Sequence, residues 1–183
     1  MRRLLLLLLP VALAAGSAYA ADGDDFRSLS DIESALDPLE FVVDYGGVRV
    51  SIDLTIAFAF DSDRILPEAE PQIEALGNAL AGERLAGYRF RLIGHTDGVG
   101  SAGYNLGLSQ RRAESVKKAM VDGYAIDPER LIAVGKGFTQ PKPGLSPDDA
   151  AHRRVEVQTI RETDEQEPEP DNTDASDDGI RIE

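Results

Sequence analysis

Residues 88–120 read YRFRLIGHTDGVGSAGYNLGLSQRRAESVKKAM, and this stretch predicts a strand, a glycine-rich loop and a helix in immediate succession. Apolar and aromatic side chains dominate residues 88–93, as is typical of a strand. The next ten residues, 94–103, include four glycines, which favours a loop. A helix is predicted over about residues 104–122, where apolar residues recur at helical spacing.

Upstream of this stretch, residues 48–60 alternate between apolar side chains and polar or small ones. Such alternation predicts one long strand with a single buried face. Pro67 and Pro71 then open a predicted helix that runs until Gly82, because proline is tolerated in a first turn and the apolar positions between keep helical spacing.

Downstream of this stretch, two further strands are predicted over residues 131–134 and 154–160. The resulting order, βαβαβ-β, predicts an α+β domain built as a two-layer sandwich, in which a mixed β-sheet carries the helices on one face. Right-handed crossover connections would place the first strand beside its parallel partners.

We assign this domain to residues 47–160. The N-terminal residues have a different composition. Residues 1–20 combine two arginines near the start, an apolar run and small residues before Ala20, which predicts a signal peptide cleaved after Ala20. A membrane anchor is the competing interpretation, but Pro10 interrupts an apolar run that is too short to span a bilayer comfortably. We therefore expect export to the periplasm, with no transmembrane segment in the mature chain.

A polar lead-in and an acidic tail flank the predicted domain. Within residues 21–46, Ser30 and Glu33 resemble a capping box. They predict the start of a short helix that runs through Leu36. Residues 161–183 carry ten acidic and two basic side chains, a composition typical of a disordered, solvating tail.

The net charge of −14 argues against nucleic acid as a partner, because phosphate binding needs an excess of lysine and arginine. Residues 161–183 contribute −8 and residues 21–160 another −8. The sequence contains no cysteine and only two histidines, which argues against disulfides, a zinc site and a lipid-modified cysteine. No phosphate-cradling glycine motif is present either. These two observations together lead us to expect neither a metal nor a cofactor.

Arg112 is the most informative residue of the second predicted helix. It lies four residues after Leu108 and four before Val116, on the face that packs against the sheet. A guanidinium there needs a carboxylate from the protein or from a ligand, because burying it unpaired is costly. Asp97, in the loop before the helix, has the opposite charge. The two side chains could together bind a zwitterion, or they could pair with each other, and their spacing leaves both possibilities open.

Several short motifs, taken in order, resemble the signature of the OmpA-like peptidoglycan-binding domain family over about residues 47–160. They are Phe60-Asp61-Ser62, Gly94-His95-Thr96-Asp97-Gly98-Val99-Gly100-Ser101, Tyr104-Asn105, Leu108-Ser109 with Arg112-Ala113, Gly135-Lys136-Gly137 and Arg153-Arg154-Val155-Glu156. Each motif alone is weak, whereas their order and spacing together are specific.

The resemblance implies non-covalent binding of peptidoglycan in the cell envelope and no catalysis. It implies that Asp97 and Arg112 hold the amino acid centre of diaminopimelate in the peptide stem. Supporting contacts are implied for Asp61, Thr96, Asn105 and Leu108. The implied location is the periplasm, in association with the cell wall or the outer membrane.

One position departs from the pattern of the family. Asparagine usually precedes the two arginines of the last strand, and this chain has His152 there. Because histidine changes charge near neutral pH, the substitution suggests the hypothesis that affinity for the wall depends on pH.

A hydrolase and a sugar-stacking surface are weaker interpretations. His95 and Asp97 lie near Ser101 and Ser109 in the sequence, but no nucleophile-elbow or oxyanion motif accompanies them. Tyr45, Tyr88, Tyr104 and the phenylalanines could form a platform for glycan strands. Most of them lie at element ends or on the apolar side of strands, which favours core packing.

The remaining alternative is a periplasmic scaffold that recruits an envelope protein through its N-terminal segment or its acidic tail. Deletion of residues 161–183 would then abolish localisation, whereas substitution of Asp97 or Arg112 would leave it unchanged.

Overall fold

The computed structural model describes residues 26–37 and 50–160. The predicted signal peptide and acidic tail lie outside these residues. In chain order the helices and strands are α1 (Leu29–Leu36), β1 (Ser51–Leu54), α2 (Glu70–Ala81), β2 (Arg89–His95), α3 (Ala102–Tyr124), β3 (Leu131–Gly137) and β4 (Val155–Ile160). Across the described part of the chain, no helix combines the length and the apolar character needed to cross a bilayer.

The four strands form one mixed sheet in the order β1-β4-β2-β3. β2 and β3 are parallel, and β4 is antiparallel to both of its neighbours, β1 and β2. The predicted α+β class with a mixed sheet is therefore confirmed.

The prediction that the first strand lies beside its parallel partners is wrong, because β4 lies between β1 and β2. Val157 of β4 is opposite Ile52 on one side and Leu92 on the other. β4 has buried side chains on both faces, with Val157 on one and Gln158 on the other. β4 is paired along both of its edges, so its backbone N–H and C=O groups find partners on both sides, as in any interior strand.

The first strand is also much shorter than the alternation predicts. β1 ends at Leu54, because β4, its partner in the described sheet, begins opposite it at Val155. The chain then turns back on itself, and the Ala59 N–H donates to the Arg64 carbonyl at 2.9 Å. Phe60, inside this turn, is fully exposed at 100%. Strand length here depends on the partner strand, which the alternation does not reveal.

The short N-terminal helix has a different cap from the predicted one. The Ser28 hydroxyl accepts the Asp31 N–H at 3.3 Å, and the Asp31 carboxylate accepts the Ser28 N–H at 3.1 Å. The capping box is therefore Ser28 with Asp31, and the expected pair of Ser30 with Glu33 is wrong. The helix ends at Leu36 as predicted, and its buried face joins the core of the domain.

One continuous core lies between the helices and one face of the sheet. All three helices contribute to it, in agreement with the predicted two-layer sandwich. Its most buried members include Leu54, Phe90, Leu92, Val155 and Val157 from the sheet and Leu36, Leu76, Leu80, Val116 and Met120 from the helices.

Two glycines allow α3 to lie directly on β2 and β3. A Cβ atom on Gly94 would stand 2.2 Å from the carbonyl oxygen of Ser109, and one on Gly135 would stand 2.5 Å from the backbone nitrogen of Gln110. Only glycine permits such a close approach of helix backbone to strand backbone. These residues therefore set the position of α3, and with it the position of Arg112.

Side chains of α3 occupy hydrogen-bonding groups along the outer edge of β3. The Gln110 amide donates to the Ala133 carbonyl at 3.2 Å and accepts the Gly135 N–H at 2.6 Å. It thus reproduces the two hydrogen bonds that one residue of a further strand would make. Lys117 Nζ donates to the Leu131 carbonyl at 2.7 Å. The edge of β3 is consequently closed by its own helix.

Candidate ligand-binding cleft

A cleft of about 900 Å³ opens between the turn after β1, the loop after β2 and the first turns of α3. β2 extends to His95 and α3 begins at Ala102, so the loop is shorter than predicted. The cleft lies at the carboxyl end of β2, a usual position for ligands on open sheets. The structure brings all six residues implied by the resemblance into the lining: Asp61, Thr96, Asp97, Asn105, Leu108 and Arg112.

Arg112 is buried on the sheet-facing side of α3, with 9% of its surface exposed. Its Nε donates to the carbonyl oxygen of Ser62 at 2.9 Å. Its guanidinium carbon lies 4.9 Å from the centre of the Phe58 ring, close enough for a cation–π contact. Burial lowers the pKa of Arg112, and the positive charge of Arg153 lowers it further. The guanidinium is therefore held in place in an environment that disfavours its charge.

Within residues 26–37 and 50–160, no carboxylate forms an ion pair with Arg112. The charges of Asp97 and Asp61 raise its pKa from a distance. Nη1 and Nη2 donate to no residue in this part of the chain. A buried guanidinium with two free nitrogens is suited to a carboxylate ligand in bidentate geometry.

Asp97 lies just beyond the end of β2 and has a partner that sequence reasoning missed. Its Oδ1 accepts the Val99 N–H at 3.2 Å, and its Oδ2 accepts Nη1 of Arg153 at 2.7 Å. The two side chains of this ion pair are 15% and 49% exposed, respectively. The structure therefore pairs Asp97 with Arg153. The direct pair of Asp97 with Arg112, which the sequence spacing had left open, is not formed. Arg153 belongs to a motif recognised in the sequence, but only the fold brings it to the cleft.

Asp61 and Tyr104 meet at the mouth of the cleft. Asp61 adopts a positive φ of 53° in the turn after β1, and its Oδ1 accepts a hydrogen bond from the Tyr104 hydroxyl. That hydrogen bond raises the pKa of Tyr104. Tyr104 is exposed and lines the cleft, so the expectation of core packing is wrong for this tyrosine. The sequence signal for a place in the cleft was its position in the first turn of α3, directly before Asn105, which the family resemblance implies for the site.

Side chains of the loop and of α3 hold the connection between β2 and α3 in shape. Ser101 caps α3 by accepting a backbone N–H of the first turn at 3.3 Å. Asn105 is buried and donates Nδ2 to the Val99 carbonyl at 2.9 Å. Gly100 adopts a φ of +102°, which glycine tolerates best. Thr96 is buried in the lining, and its hydroxyl has no hydrogen-bond partner among the described residues.

The residues that suggested a hydrolase have structural partners instead. His95 Nε2 lies 3.3 Å from Oε2 of Glu156, and this hydrogen bond lowers the pKa of Glu156. Ser109 Oγ bonds two backbone groups, each at 2.9 Å, and Ser101 caps the helix. In the described part of the chain neither serine is hydrogen-bonded to His95, so the arrangement of an activated nucleophile is not formed there.

His152 is buried and organises the long connection between β3 and β4. Its Nδ1 accepts the Lys142 N–H at 3.1 Å, and its Nε2 donates to the Ser146 carbonyl at 2.8 Å. In the same connection, the Pro147 carbonyl accepts the Gly98 N–H at 2.6 Å. His152 therefore stabilises a segment that contacts the loop after β2.

The sequence matches known envelope proteins over most of the described domain. The model of the OmpA family matches residues 57–154, more than half of the 183 residues. Outer membrane porin F of Pseudomonas fluorescens is 36% identical over 111 residues, which cover 59% of this chain and 33% of the porin. Outer membrane protein A of Bordetella avium is 33% identical over 114 residues, which cover 61% of this chain and 57% of that protein. The chain thus spans about a third and somewhat over half of these two relatives.

Solved structures show the same fold. A MotB-like protein from Desulfovibrio vulgaris aligns with a TM-score of 0.53 at 28% identity, covering 62% of this chain and 74% of that one. The OmpA-like domain of FopA1 from Francisella tularensis aligns with a TM-score of 0.51 at 22% identity, covering 62% of this chain and 75% of that one. The match to the family model over residues 57–154 and these shared folds lead to one assignment: the chain belongs to the OmpA family.

Proposed function

We propose that the chain binds peptidoglycan non-covalently through the diaminopimelate of the peptide stem. The amino acid centre of diaminopimelate carries an ammonium and a carboxylate on the same carbon. Arg112 takes the carboxylate through Nη1 and Nη2, and Asp97 takes the ammonium. The observation that carries the proposal is a buried guanidinium with two free nitrogens in the same cleft as a carboxylate.

The energetics favour a ligand that brings its own carboxylate. Arg112 is desolvated in the free protein without an ion-pair partner in the described residues, so a ligand carboxylate offsets a cost already present. The pair between Asp97 and Arg153 is partly open to solvent. Such pairs are worth about 1 kcal/mol or less. An arriving ammonium can therefore share Asp97 with Arg153, or displace Arg153 from it, at small cost.

The function that we propose is binding at the cell envelope, without catalysis. The sequence relatives are named as outer-membrane proteins, and the first twenty residues predict export. Both support a periplasmic location in association with the cell wall or the outer membrane. The family resemblance supports Asp97 and Arg112 as the binding pair.

A pull-down with purified sacculi tests this proposal. We expect Asp97→Ala and Arg112→Ala each to lower binding by about tenfold or more, because each removes a charge-assisted contact. Free diaminopimelate should release the wild-type protein from sacculi. Arg111→Ala is the matched control, because Arg111 is the exposed neighbour of Arg112 on the same helix, and it should bind like the wild type. Full retention of the Asp97 and Arg112 variants would contradict the proposal.

The same assay separates wall binding from the scaffold alternative. A chain that lacks residues 161–183 should still bind sacculi if the cleft is responsible. Loss of localisation on this deletion, with unchanged localisation of Asp97→Ala, would favour recruitment by a protein partner instead.

The pH dependence suggested by His152 remains a prediction. Nδ1 of His152 accepts the Lys142 N–H and so helps to hold the connection before β4. We expect binding of the wild type to sacculi to differ between about pH 5.5 and about pH 7.5, and His152→Asn to show a smaller difference. Equal binding by both proteins at both pH values would remove the hypothesis.

A further inference from the structure

Exposed apolar side chains are concentrated at the mouth of the ligand-binding cleft. Within residues 26–37 and 50–160, eight large apolar side chains are exposed, and three of them line this cleft: Phe60, Val99 and Tyr104. Their exposed fractions are 100%, 64% and 44%, respectively. We call these three residues the apolar rim. Single exposed apolar side chains need no explanation, whereas a group of them at one concave site indicates a ligand with an apolar part.

The charged groups of the binding pair lie deeper in the cleft than the apolar rim. Arg112 is 9% exposed, and the side chain of Asp97 is 15% exposed. Leu108, one helical turn before Arg112 in α3, is buried in the lining. The cleft therefore presents charge at its floor and hydrocarbon at its mouth. A ligand that matches this arrangement has a charged end with an apolar chain behind it.

Hydrogen bonds fix the apolar rim next to polar groups of the site. The Val99 N–H donates to Oδ1 of Asp97 at 3.2 Å. The Tyr104 hydroxyl donates to Oδ1 of Asp61, and Phe60 immediately precedes Asp61 in the turn after β1. The rim is thus positioned before a ligand arrives, which lowers the entropy that binding would otherwise cost.

We infer that the apolar rim binds the hydrocarbon arm of diaminopimelate, so that the cleft selects a zwitterion carried on an aliphatic chain. This inference rests on the proposed function, because Asp97 and Arg112 first hold the zwitterion at the floor of the cleft. In diaminopimelate a chain of methylene groups joins the two amino acid centres. With one centre at the floor, this chain leaves through the mouth. Its contact with Phe60 and Val99 removes apolar surface of both ligand and protein from water.

Two amino acids that share the zwitterion and differ only in their hydrocarbon chain test the inference. The probes are alanine and norleucine, each in both configurations, with free diaminopimelate as the reference. NMR titration of the mature protein measures the affinities. We expect norleucine to bind wild type about tenfold more tightly than alanine, because its additional methylene groups are partly buried on the apolar rim.

A double variant, Phe60→Ser with Val99→Ser, removes apolar surface from the rim at two exposed positions. It should reduce the advantage of norleucine over alanine to about twofold, since fewer methylene groups are then shielded from water. Leu106→Ser is the matched control. Leu106 follows Tyr104 by two residues in α3 and is 46% exposed, but it does not line the cleft. This variant should keep the full advantage of norleucine.

The outcomes separate this inference from the proposed function. If free diaminopimelate binds wild type and loses affinity for Arg112→Ala, but norleucine binds no more tightly than alanine, only the inference about the rim is refuted. An advantage of norleucine that persists in the double variant also refutes it, because the chain is then bound elsewhere. If that variant nevertheless binds sacculi more weakly, the rim contacts another part of the wall, such as the glycan strands. If free diaminopimelate does not bind wild type, both proposals fail.

Discussion

Gly94→Ala is expected to destabilise the domain by about 3 kcal/mol, the upper part of the range for overpacked cores. The added methyl would stand 2.2 Å from the Ser109 carbonyl oxygen, and this oxygen belongs to helix backbone that cannot move alone. The whole of α3 must therefore shift away from β2. Chemical denaturation followed by circular dichroism measures the loss of unfolding free energy.

Gly87→Ala is the matched control for this experiment. A Cβ atom on Gly87 meets nothing within 4 Å, so its stability should stay within about 0.5 kcal/mol of wild type. Equal stability of the two variants would show that α3 does not depend on the close approach at Gly94. Because Arg112 is carried by α3, Gly94→Ala should also weaken binding to sacculi under conditions in which it is still folded.

Arg112→Met is expected to separate binding from stability. Binding of diaminopimelate should fall by about 100-fold, since removing one partner of a desolvated charge pair costs a few kcal/mol. The free domain should keep its stability within about 1 kcal/mol, because methionine removes the desolvation of a buried charge while losing one hydrogen bond to Ser62. Titration calorimetry and thermal unfolding of the same preparation measure the two quantities.

Arg111→Met provides the comparison on the exposed side of the same helix turn. It should change neither quantity appreciably. A large loss of stability in Arg112→Met would show that the arginine is mainly structural. Retained affinity would show that the ligand carboxylate is bound by another group.

The elements of the fold were largely predictable because their patterns are local. Proline at the start and glycine at the end bound α2 as expected, and β3 begins at the predicted Leu131. The length of β1 and the position of β4 were not predictable, because both depend on which strands pair. Alternation continues in the sequence up to Phe60, whereas the ladder stops at Leu54, where β4 begins.

The cleft shows the same division between local and long-range information. The loop after β2 and α3 are adjacent in sequence, so the sequence alone associates Asp97 with Arg112. The ion pair of Asp97 with Arg153 joins residues 56 positions apart. It requires β4 to lie beside β2, and the sequence pattern alone led to the wrong neighbour for the first strand.

The side-chain amide of Gln110 has a further consequence under the proposed function, in which many copies bind one peptidoglycan surface. Molecules crowded side by side at high local concentration are at risk of growing shared sheets through exposed strands. Along β3 that route is obstructed, since α3 already occupies the carbonyl of Ala133 and the N–H of Gly135. Under the proposed function, many domains can therefore bind the same polymer network without pairing with one another along β3.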